Sequence, residues 1–162
     1  MKHQLTKKTK LLQKALLIAD SKVLVLKRAS NSFSRPNKWD LPGGNSEWPS
    51  VTSDLKNPHE LDLLREIKEE TGLDVSEFWS NRRQPLCFNT YFESEKQVFS
   101  VIVIWQVNLP STLMSQARLS QEHSEFRWVD LDRVLDELDF GFAGEPGGFI
   151  YEAVKMTLDS RL

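Results

Sequence analysis

The strongest structural signal in this sequence is the stretch Arg65-Glu-Ile-Lys-Glu-Glu-Thr-Gly-Leu73. A helix through this stretch turns about 100° per residue. Its apolar side then carries Leu61, Leu63, Leu64, Ile67 and Thr71. Glu66, Glu69 and Glu70 fall together on a neighbouring arc. The pattern predicts an amphipathic helix with three crowded carboxylates on one flank.

These three carboxylates have two interpretations. Like charges three or four residues apart repel one another by a few tenths of a kcal/mol per pair, roughly, on an isolated helix. The helix dipole also disfavours anions near a C-terminus. A cation would compensate, and hard oxygen ligands favour Mg²⁺ or Mn²⁺. The other interpretation is a solvated acidic face softened by Arg65 and Lys68, which on spacing alone is the more common arrangement.

The ends of this helix also have sequence signals. Asn57 suits the N-cap, Pro58 suits the first helical position, and Glu60 would complete a capping box. Gly72 suits the left-handed residue that closes a helix. The sequence therefore predicts a helix over Asn57–Thr71.

The rest of the chain mixes strand and helix patterns. Predicted strands are Lys10–Ile18, Val23–Arg28, Phe88–Phe92, Val98–Val107 and Phe126–Val129, and Leu11–Ile18 also fits a helix. Trp39–Gly44 is predicted to be a short extended segment that runs into a turn. A helical turn or short helix is expected at Asp130–Leu138, and a terminal helix at Phe149–Leu158. These elements indicate an α+β fold, or a layered α/β/α sandwich with a mixed sheet, in one domain over residues 1–162.

Composition narrows the functional classes. The formal net charge is −2, which argues against a surface built to bind nucleic acid. Cys87 is the only cysteine, which excludes an internal disulfide and agrees with a cytoplasmic protein. The longest apolar runs are too short to span a membrane. The sequence does not decide between a monomer and a homodimer.

Several motifs in order resemble the Nudix hydrolase family. Arg65–Leu73 resembles the second half of the Nudix box, and Leu41-Pro-Gly-Gly44 resembles its start. Lys22–Arg28 is similar to the strand before the box, and Glu122–Trp128 to a downstream stretch of the family. The resemblance covers roughly residues 15–138. It implies a Nudix-type α/β/α sandwich with a mixed β-sheet.

One departure from the family pattern is clear. The family usually has a Glu six residues after the box-opening glycine and eight residues before the arginine; here these positions are Ser50 and Asn57. We interpret the extra length as an insertion within residues 45–56. Glu47 or Glu60 could partly replace the missing carboxylate.

The resemblance implies residue roles in hydrolysis of a phosphoanhydride bond. Glu66, Glu69 and Glu70 would bind Mg²⁺ or Mn²⁺, and the Gly43 carbonyl would add a ligand. Arg65 would pair with one of these carboxylates and fix its rotamer.

The resemblance leaves the general base open. Glu69 and Glu70 are candidates, and so is Glu122, which lies in a predicted loop. Alternatively, Glu122 is a solvated charge on that loop. A structural role is expected for His123.

The substrate is expected to be a small nucleotide-like molecule. A nucleoside triphosphate or a related diphosphate derivative is preferred; a dinucleoside polyphosphate or a nucleotide sugar is an alternative. A non-catalytic nucleotide-binding regulator with a Nudix fold is a further alternative. Tyr91 could instead be an aromatic residue of the sheet, and Trp48 could instead hold its loop against the rest of the domain. The candidate substrate-binding residues are Gly44, Arg28, Trp39, Trp48 and Tyr91.

Overall fold

A mixed β-sheet forms the centre of the molecule. The computed structural model describes residues 8–47, 55–79 and 85–161. Within them the strands are β1 (Thr9–Ala19), β2 (Lys22–Arg28), β3 (Trp39–Asp40), β4 (Cys87–Glu93), β5 (Val98–Asn108) and β6 (His123–Asp130). The strand order is β3-β2-β1-β5-β4, and β6 pairs with β2. β1 and β5 run parallel, while the other pairs are antiparallel.

β1 is the central strand that organises the two cores. Leu16 and Ile18 face one core, whereas Ala15 and Leu17 face the other. A strand buried on both faces can be apolar on both, so it lacks a clean alternation of polar and apolar residues. This explains why Leu11–Ile18 also fitted a helix, an alternative that the structure shows to be wrong.

Helices cover both faces of the sheet. α1 (Pro58–Thr71) packs on one face through Leu63 and Ile67. α2 (Val134–Glu137) and α3 (Phe149–Asp159) contribute to the core on the other face. Short 3₁₀ helices lie at Ser76–Phe78, Ser111–Gln116 and Gly141–Gly144. The predicted α/β/α arrangement with a mixed sheet is confirmed.

The start of α1 differs from the predicted capping box. Asn57 occupies the N-cap position, but its φ of 51° and ψ of 46° place it in the left-handed region, and its side chain makes no capping hydrogen bond. The Glu60 carboxylate instead accepts a hydrogen bond of 2.7 Å from Trp79 Nε1. The capping-box prediction was therefore wrong, because backbone geometry and a tertiary contact divert both side chains. Gly72 closes the helix as predicted, with a φ of 72° and a bond from its N–H to the Lys68 carbonyl.

Other element boundaries shift modestly. β6 is longer than the predicted Phe126–Val129, because it pairs with β2 along most of that strand's length. Part of the 45–56 insertion, including Trp48, lies outside the described residues. Among the residues described, no helix has the length and apolar character needed to cross a membrane.

Candidate active site

The glycine pair follows β3 and is held against β1. Ala15 N–H donates to the Pro42 carbonyl at 2.8 Å, and Gln13 N–H donates to the Gly44 carbonyl at 2.9 Å. These bonds continue the β1 ladder beyond the paired strands. The backbone around Gly43 therefore has a defined position beneath the C-terminal half of α1.

Gly43 is required at its position by backbone geometry. Its φ is 119°, and a Cβ built there would lie 2.4 Å from the Gln13 carbonyl oxygen. An L side chain would be strained in this conformation and would also collide with β1. A Cβ on Gly44 would lie 3.0 Å from Glu66 Oε2, so the second glycine allows a carboxylate of α1 to approach the backbone.

Glu70 is the buried carboxylate of the site. Glu70 lies on α1, and the residue is 8% exposed. Oε2 accepts a hydrogen bond of 2.7 Å from the Gly43 N–H. Burial raises the pKa of Glu70 to about 7, although Lys14 and the Gly43 N–H oppose the shift. The folded chain therefore carries a carboxylate whose charge is costly without a further cation.

Glu66 and Glu69 share the guanidinium of Arg65. Arg65 lies 2.9 Å from Glu66 Oε1 and 2.7 Å from Glu69 Oε2, and it also pairs with Asp62 at 2.5 Å. Its hydrogen bond to Asp62 is the largest cause of a raised Arg65 pKa. Burial raises the pKa of Glu66 despite this pairing. The structure therefore places Arg65 against two of the three predicted metal ligands.

The three carboxylates do not meet at one point in this conformation. Within the described ranges, no group of three or more His, Cys, Asp or Glu side chains is arranged to hold a metal ion. Glu66 and Glu70 approach the glycine pair, whereas the exposed Glu69 carboxylate lies against Arg65. The chemistry of these side chains still fits a hard divalent cation, because all the donor atoms are oxygens. Burial is the largest cause of the raised Glu70 pKa, and a bound cation would compensate for it.

A cavity of about 340 Å³ opens beside Glu70. Glu122 lies on its wall, as do Arg28 and Ser32. Glu122 immediately precedes β6 and is exposed. The pairing of β6 with β2 thus brings a residue 52 positions after Glu70 to the same cavity. The sequence placed Glu122 near the site only by resemblance.

His123 lines the same cavity at the first position of β6. Its Nε2 lies 3.8 Å from Glu70 Oε1, and its Nδ1 lies 3.2 Å from Ser120 Oγ. Burial lowers the pKa of His123 to about 4, and the positive charge of Lys14 acts in the same direction. His123 is therefore neutral near pH 7. The expected structural role for His123 stays a prediction.

A buried ion-pair cluster next to the site was missed by sequence reasoning. The Asp40 Oδ2 atom lies 3.1 Å from Lys14 Nζ, 3.1 Å from Arg28 Nη1 and 2.7 Å from Arg35 Nη2. The Asp40 side chain is 1% exposed and that of Lys14 is 4% exposed. The one sequence signal was Lys14, a charged residue in the middle of an otherwise mostly apolar strand.

Lys14 joins this cluster to the glycine pair. Its ammonium donates a hydrogen bond of 2.5 Å to the Gly43 carbonyl oxygen. That oxygen is the atom predicted as a metal ligand. Lys14 also opposes the rise in the Glu70 pKa. In this conformation a protein cation thus lies at the backbone oxygen that was expected to bind a metal cation.

The remaining predicted substrate residues lie in different places. Trp39 is buried in the core with Lys27 and Arg127 against its ring, and it does not line the cavity beside Glu70. Tyr91 lines a second cavity on the sheet. Trp48 lies outside the described residues. The structure thus separates residues that the sequence grouped together.

Solved structures with the same fold come from several organisms. The chain is similar to the MutT protein of Methanosarcina mazei Go1 with a TM-score of 0.63 and 23% identity, covering 98% of this chain and 100% of that one. The NUDIX domain of Shewanella oneidensis NrtR, in complex with ADP ribose, has a TM-score of 0.65, 20% identity and coverage of 96% and 90%. A C. elegans Ap4A hydrolase has a TM-score of 0.63, 17% identity and coverage of 93% and 96%. At these identities the similarity shows the fold alone.

A family model supplies the assignment that the fold alone does not. No curated protein sequence matches the chain significantly. The model of the NUDIX domain matches residues 14–150, a range that begins at Lys14 in β1 and ends in the first turn of α3. This match covers the glycine pair, the carboxylate helix and the cavity beside Glu70, so the chain belongs to the Nudix family of hydrolases.

Proposed function

We propose that this Nudix hydrolase cleaves a phosphoanhydride bond in a nucleoside di- or triphosphate derivative, most simply a nucleoside triphosphate, with Mg²⁺ or Mn²⁺ as cofactor. The observation that carries the proposal is the environment of Glu70. This carboxylate is buried against the Gly43 N–H, its pKa is raised to about 7 by burial, and it faces a cavity that Arg28 also lines. Such a site favours a metal cation together with an anionic ligand.

The proposed metal ligands are Glu66, Glu69 and Glu70, with the Gly43 carbonyl as a further oxygen donor. A bound divalent cation would neutralise charge on phosphate oxygens and lower the pKa of a coordinated water. Coordination by all three carboxylates requires Glu69 to leave Arg65, and coordination by Gly43 requires Lys14 to release that carbonyl. Arg65 would then hold Glu66 through the 2.9 Å contact already present.

The remaining roles belong to residues on the wall of the cavity. Arg28 offers a guanidinium to the phosphate chain, because the geometry of this group suits phosphate oxygens. Glu122 is the proposed general base, since it lines the same cavity as Glu70 and is not held in the Arg65 cluster. Gly44 lets the substrate and Glu66 approach the backbone closely.

A substrate panel with Mg²⁺ tests the proposal. It should contain nucleoside triphosphates, a dinucleoside polyphosphate, a nucleotide sugar and ADP-ribose, because ADP ribose and Ap4A occur in the names of structural neighbours. Released phosphate or pyrophosphate is measured for the wild-type chain. The proposal expects metal-dependent turnover, with nucleoside triphosphates ahead of the other classes. Absence of turnover for every member of the panel would overturn the proposal, and nucleotide binding without turnover would favour the non-catalytic regulator.

Variants assign the turnover to the carboxylate helix. Glu69→Gln and Glu70→Gln each remove one negative charge with little change in shape. Both should abolish metal-dependent turnover and leave the fold nearly intact. The matched control is Glu137→Gln, which breaks a comparable ion pair of 2.6 Å between the end of α2 and Arg133, its N-cap residue. Full activity in both Glu69→Gln and Glu70→Gln would exclude the proposed metal site.

A further inference from the structure

A buried ammonium group lies at the site without an assigned role in the proposed chemistry. Lys14 is in the middle of β1, and its side chain is 4% exposed. Removing an ammonium from water destabilises the fold unless protein contacts replace those of the solvent. A lysine at this position therefore needs strong partners, and the nature of these partners indicates what the residue does.

The Lys14 ammonium is shared between a charged oxygen and a neutral one. Its Nζ lies 2.5 Å from the Gly43 carbonyl oxygen and 3.1 Å from Asp40 Oδ2. An ammonium carries three N–H donors, so it can bind both oxygens at once. Lys14 thus connects the ion pairs around Asp40 to the backbone of the glycine pair.

The charge of Asp40 alone does not account for Lys14. The same Oδ2 atom lies 3.1 Å from Arg28 Nη1 and 2.7 Å from Arg35 Nη2. Three cations therefore surround a single negative charge, and Asp40 would stay paired if Lys14 were neutral. The contact that distinguishes Lys14 from the two arginines is the one with the Gly43 carbonyl.

Gly43 has oppositely charged partners on its two polar groups. Its N–H donates to Glu70 Oε2 at 2.7 Å, and its carbonyl accepts from Lys14. A divalent cation that used this carbonyl would lie close to the ammonium. Two cations at one oxygen repel each other strongly in a buried site, where solvent and salt screen them little. A metal ion would therefore have to displace Lys14 to gain this ligand.

The positive charge of Lys14 also acts on the carboxylate of Glu70. Burial is the largest cause of the raised Glu70 pKa, and the charge of Lys14 opposes it more than any other interaction. Lys14 thus already supplies part of the compensation that a bound metal ion would give to Glu70. The ammonium and the metal ion compete both for the Gly43 carbonyl and for the field of this carboxylate.

Asp40 gives Lys14 a partner after displacement. The 3.1 Å contact between Nζ and Oδ2 does not involve Gly43, so the ammonium stays paired when it releases the carbonyl. A buried charge that lost every partner would be strongly destabilising. Lys14 avoids this state, and the exchange of an ammonium for a metal ion at Gly43 is reversible for the fold.

We propose that Lys14 is an internal competitor of the divalent metal: it holds the Gly43 carbonyl and lowers the affinity of the site for Mg²⁺ or Mn²⁺. The inference rests on the proposed function, because it takes Gly43 and Glu70 as metal ligands. It adds a residue of β1 that sets how tightly the metal binds. Lys14 is a positioning residue, since it acts through Gly43 and Glu70.

Metal binding by the whole chain without nucleotide tests this inference separately from catalysis. Mn²⁺ is the probe, and electron paramagnetic resonance measures the free ion. Lys14→Met removes the charge and keeps an unbranched side chain of similar length in an apolar strand. The dissociation constant for Mn²⁺ should fall about tenfold or more, within the roughly 5- to 150-fold range of coupled sites. An unchanged or higher dissociation constant would overturn the inference.

Two further variants locate the gain in affinity. Lys22→Met makes the same substitution on β2, where it breaks an ion pair of 2.6 Å with Asp130, and it should bind Mn²⁺ like the wild type. The double variant Lys14→Met/Glu70→Gln removes a proposed ligand and should lose the gain. If the double variant keeps it, the additional Mn²⁺ binds elsewhere and the inference is wrong. Circular dichroism checks that each variant has folded.

A measurement on the unmutated chain covers the case in which Lys14→Met does not fold. Nuclear magnetic resonance follows the Lys14 side chain during a titration with diamagnetic Mg²⁺. Its ¹³Cε and ¹⁵Nζ resonances should shift together with the amide of Gly44, which shares a peptide group with the Gly43 carbonyl. The Lys22 side chain should not shift. A Lys14 side chain that stays unchanged throughout the titration would contradict the proposed competition.

The outcomes separate this inference from the proposed function. If the wild type hydrolyses nucleoside triphosphates but Lys14→Met binds Mn²⁺ no more tightly, only this inference is wrong. If Lys14→Met gains Mn²⁺ affinity through Glu70 while the wild type turns over no member of the substrate panel, the competition stands and the hydrolytic proposal fails.

Discussion

Two ion-pair clusters flank the glycine pair, and they are opposite in charge and exposure. Around Arg65, one cation meets four carboxylates on the solvent side of α1, three of them within 2.9 Å and that of Glu47 at 4.0 Å. Around Asp40, one carboxylate meets three cations in the interior. The first cluster has surplus negative charge and the second has surplus positive charge.

This inversion explains how one site can attract both a cation and an anion. The surplus carboxylates of α1 favour a divalent metal, since hard cations take carboxylate oxygens. The surplus of positive charge around Asp40 favours phosphate oxygens, and Arg28 presents part of that charge in the cavity beside Glu70. A metal-bound nucleotide would satisfy both clusters together.

The largest difference expected between the clusters is in stability. Asp40→Asn leaves Lys14 in the interior without its carboxylate, and breaking a buried pair in this way typically costs about 3–5 kcal/mol of the free energy of unfolding. Urea unfolding followed by circular dichroism measures the loss.

An exposed aspartate provides the control for this substitution. Asp139 pairs with Lys38 at the surface, and its side chain is 65% exposed. Asp139→Asn should change the free energy of unfolding by less than about 1 kcal/mol, since surface pairs contribute little. Equal losses in the free energy of unfolding would show that the buried ion pairs of Asp40 matter no more for stability than a surface ion pair.

The second prediction concerns activity at the exposed cluster. Arg65→Gln should change the free energy of unfolding by no more than about 1 kcal/mol, because the Arg65 side chain is 39% exposed. Turnover should nevertheless fall about 10- to 100-fold, the usual effect of removing a residue that orients metal ligands. Steady-state kinetics at several Mg²⁺ concentrations measures it.

A lysine in place of Arg65 sharpens this test. Arg65→Lys keeps the charge but loses the planar group that contacts Glu66 and Glu69 together. If orientation matters, this variant should resemble Arg65→Gln, whereas a pure charge effect would restore turnover. Wild-type kinetics in both variants would remove Arg65 from the proposed positioning role.

The contrast between the clusters also shows what could be predicted from the sequence. Arg65, Glu66, Glu69 and Glu70 lie within six consecutive residues, so helical periodicity and the motif were sufficient to place them on one helix. Gly43 falls in the segment that was predicted to run into a turn, and its φ of 119° is one that glycine adopts readily. Local patterns of this kind depend little on the rest of the fold.

The Asp40 cluster could not be predicted in the same way. Lys14, Arg28, Arg35 and Asp40 come from separate segments, and only the order β3-β2-β1 brings them together. Sequence periodicity does not contain this strand order.

The last prediction compares acid stability. Burial acting alone would raise the pKa of Asp40, but Lys14, Arg35 and Arg28 hold it below the ordinary value of 3.8. Since the folded pKa is the lower one, the ion pairs stabilise the fold fully above about pH 4. That stabilisation is lost as the pH falls from the unfolded pKa toward the folded one.

The slope of this loss can be measured. One proton taken up on unfolding changes the free energy of unfolding by about 1.4 kcal/mol per pH unit. Urea unfolding between pH 5 and pH 2 gives the free energy of unfolding at each pH. For the wild type it should fall more steeply with decreasing pH than for Asp40→Asn, by up to about 1.4 kcal/mol per pH unit. Parallel curves would mean that Asp40 titrates alike in the folded and unfolded chains. The three cations would then do no more than offset the effect of burial on the Asp40 pKa, and the ion pairs would add no pH-dependent stability in this range.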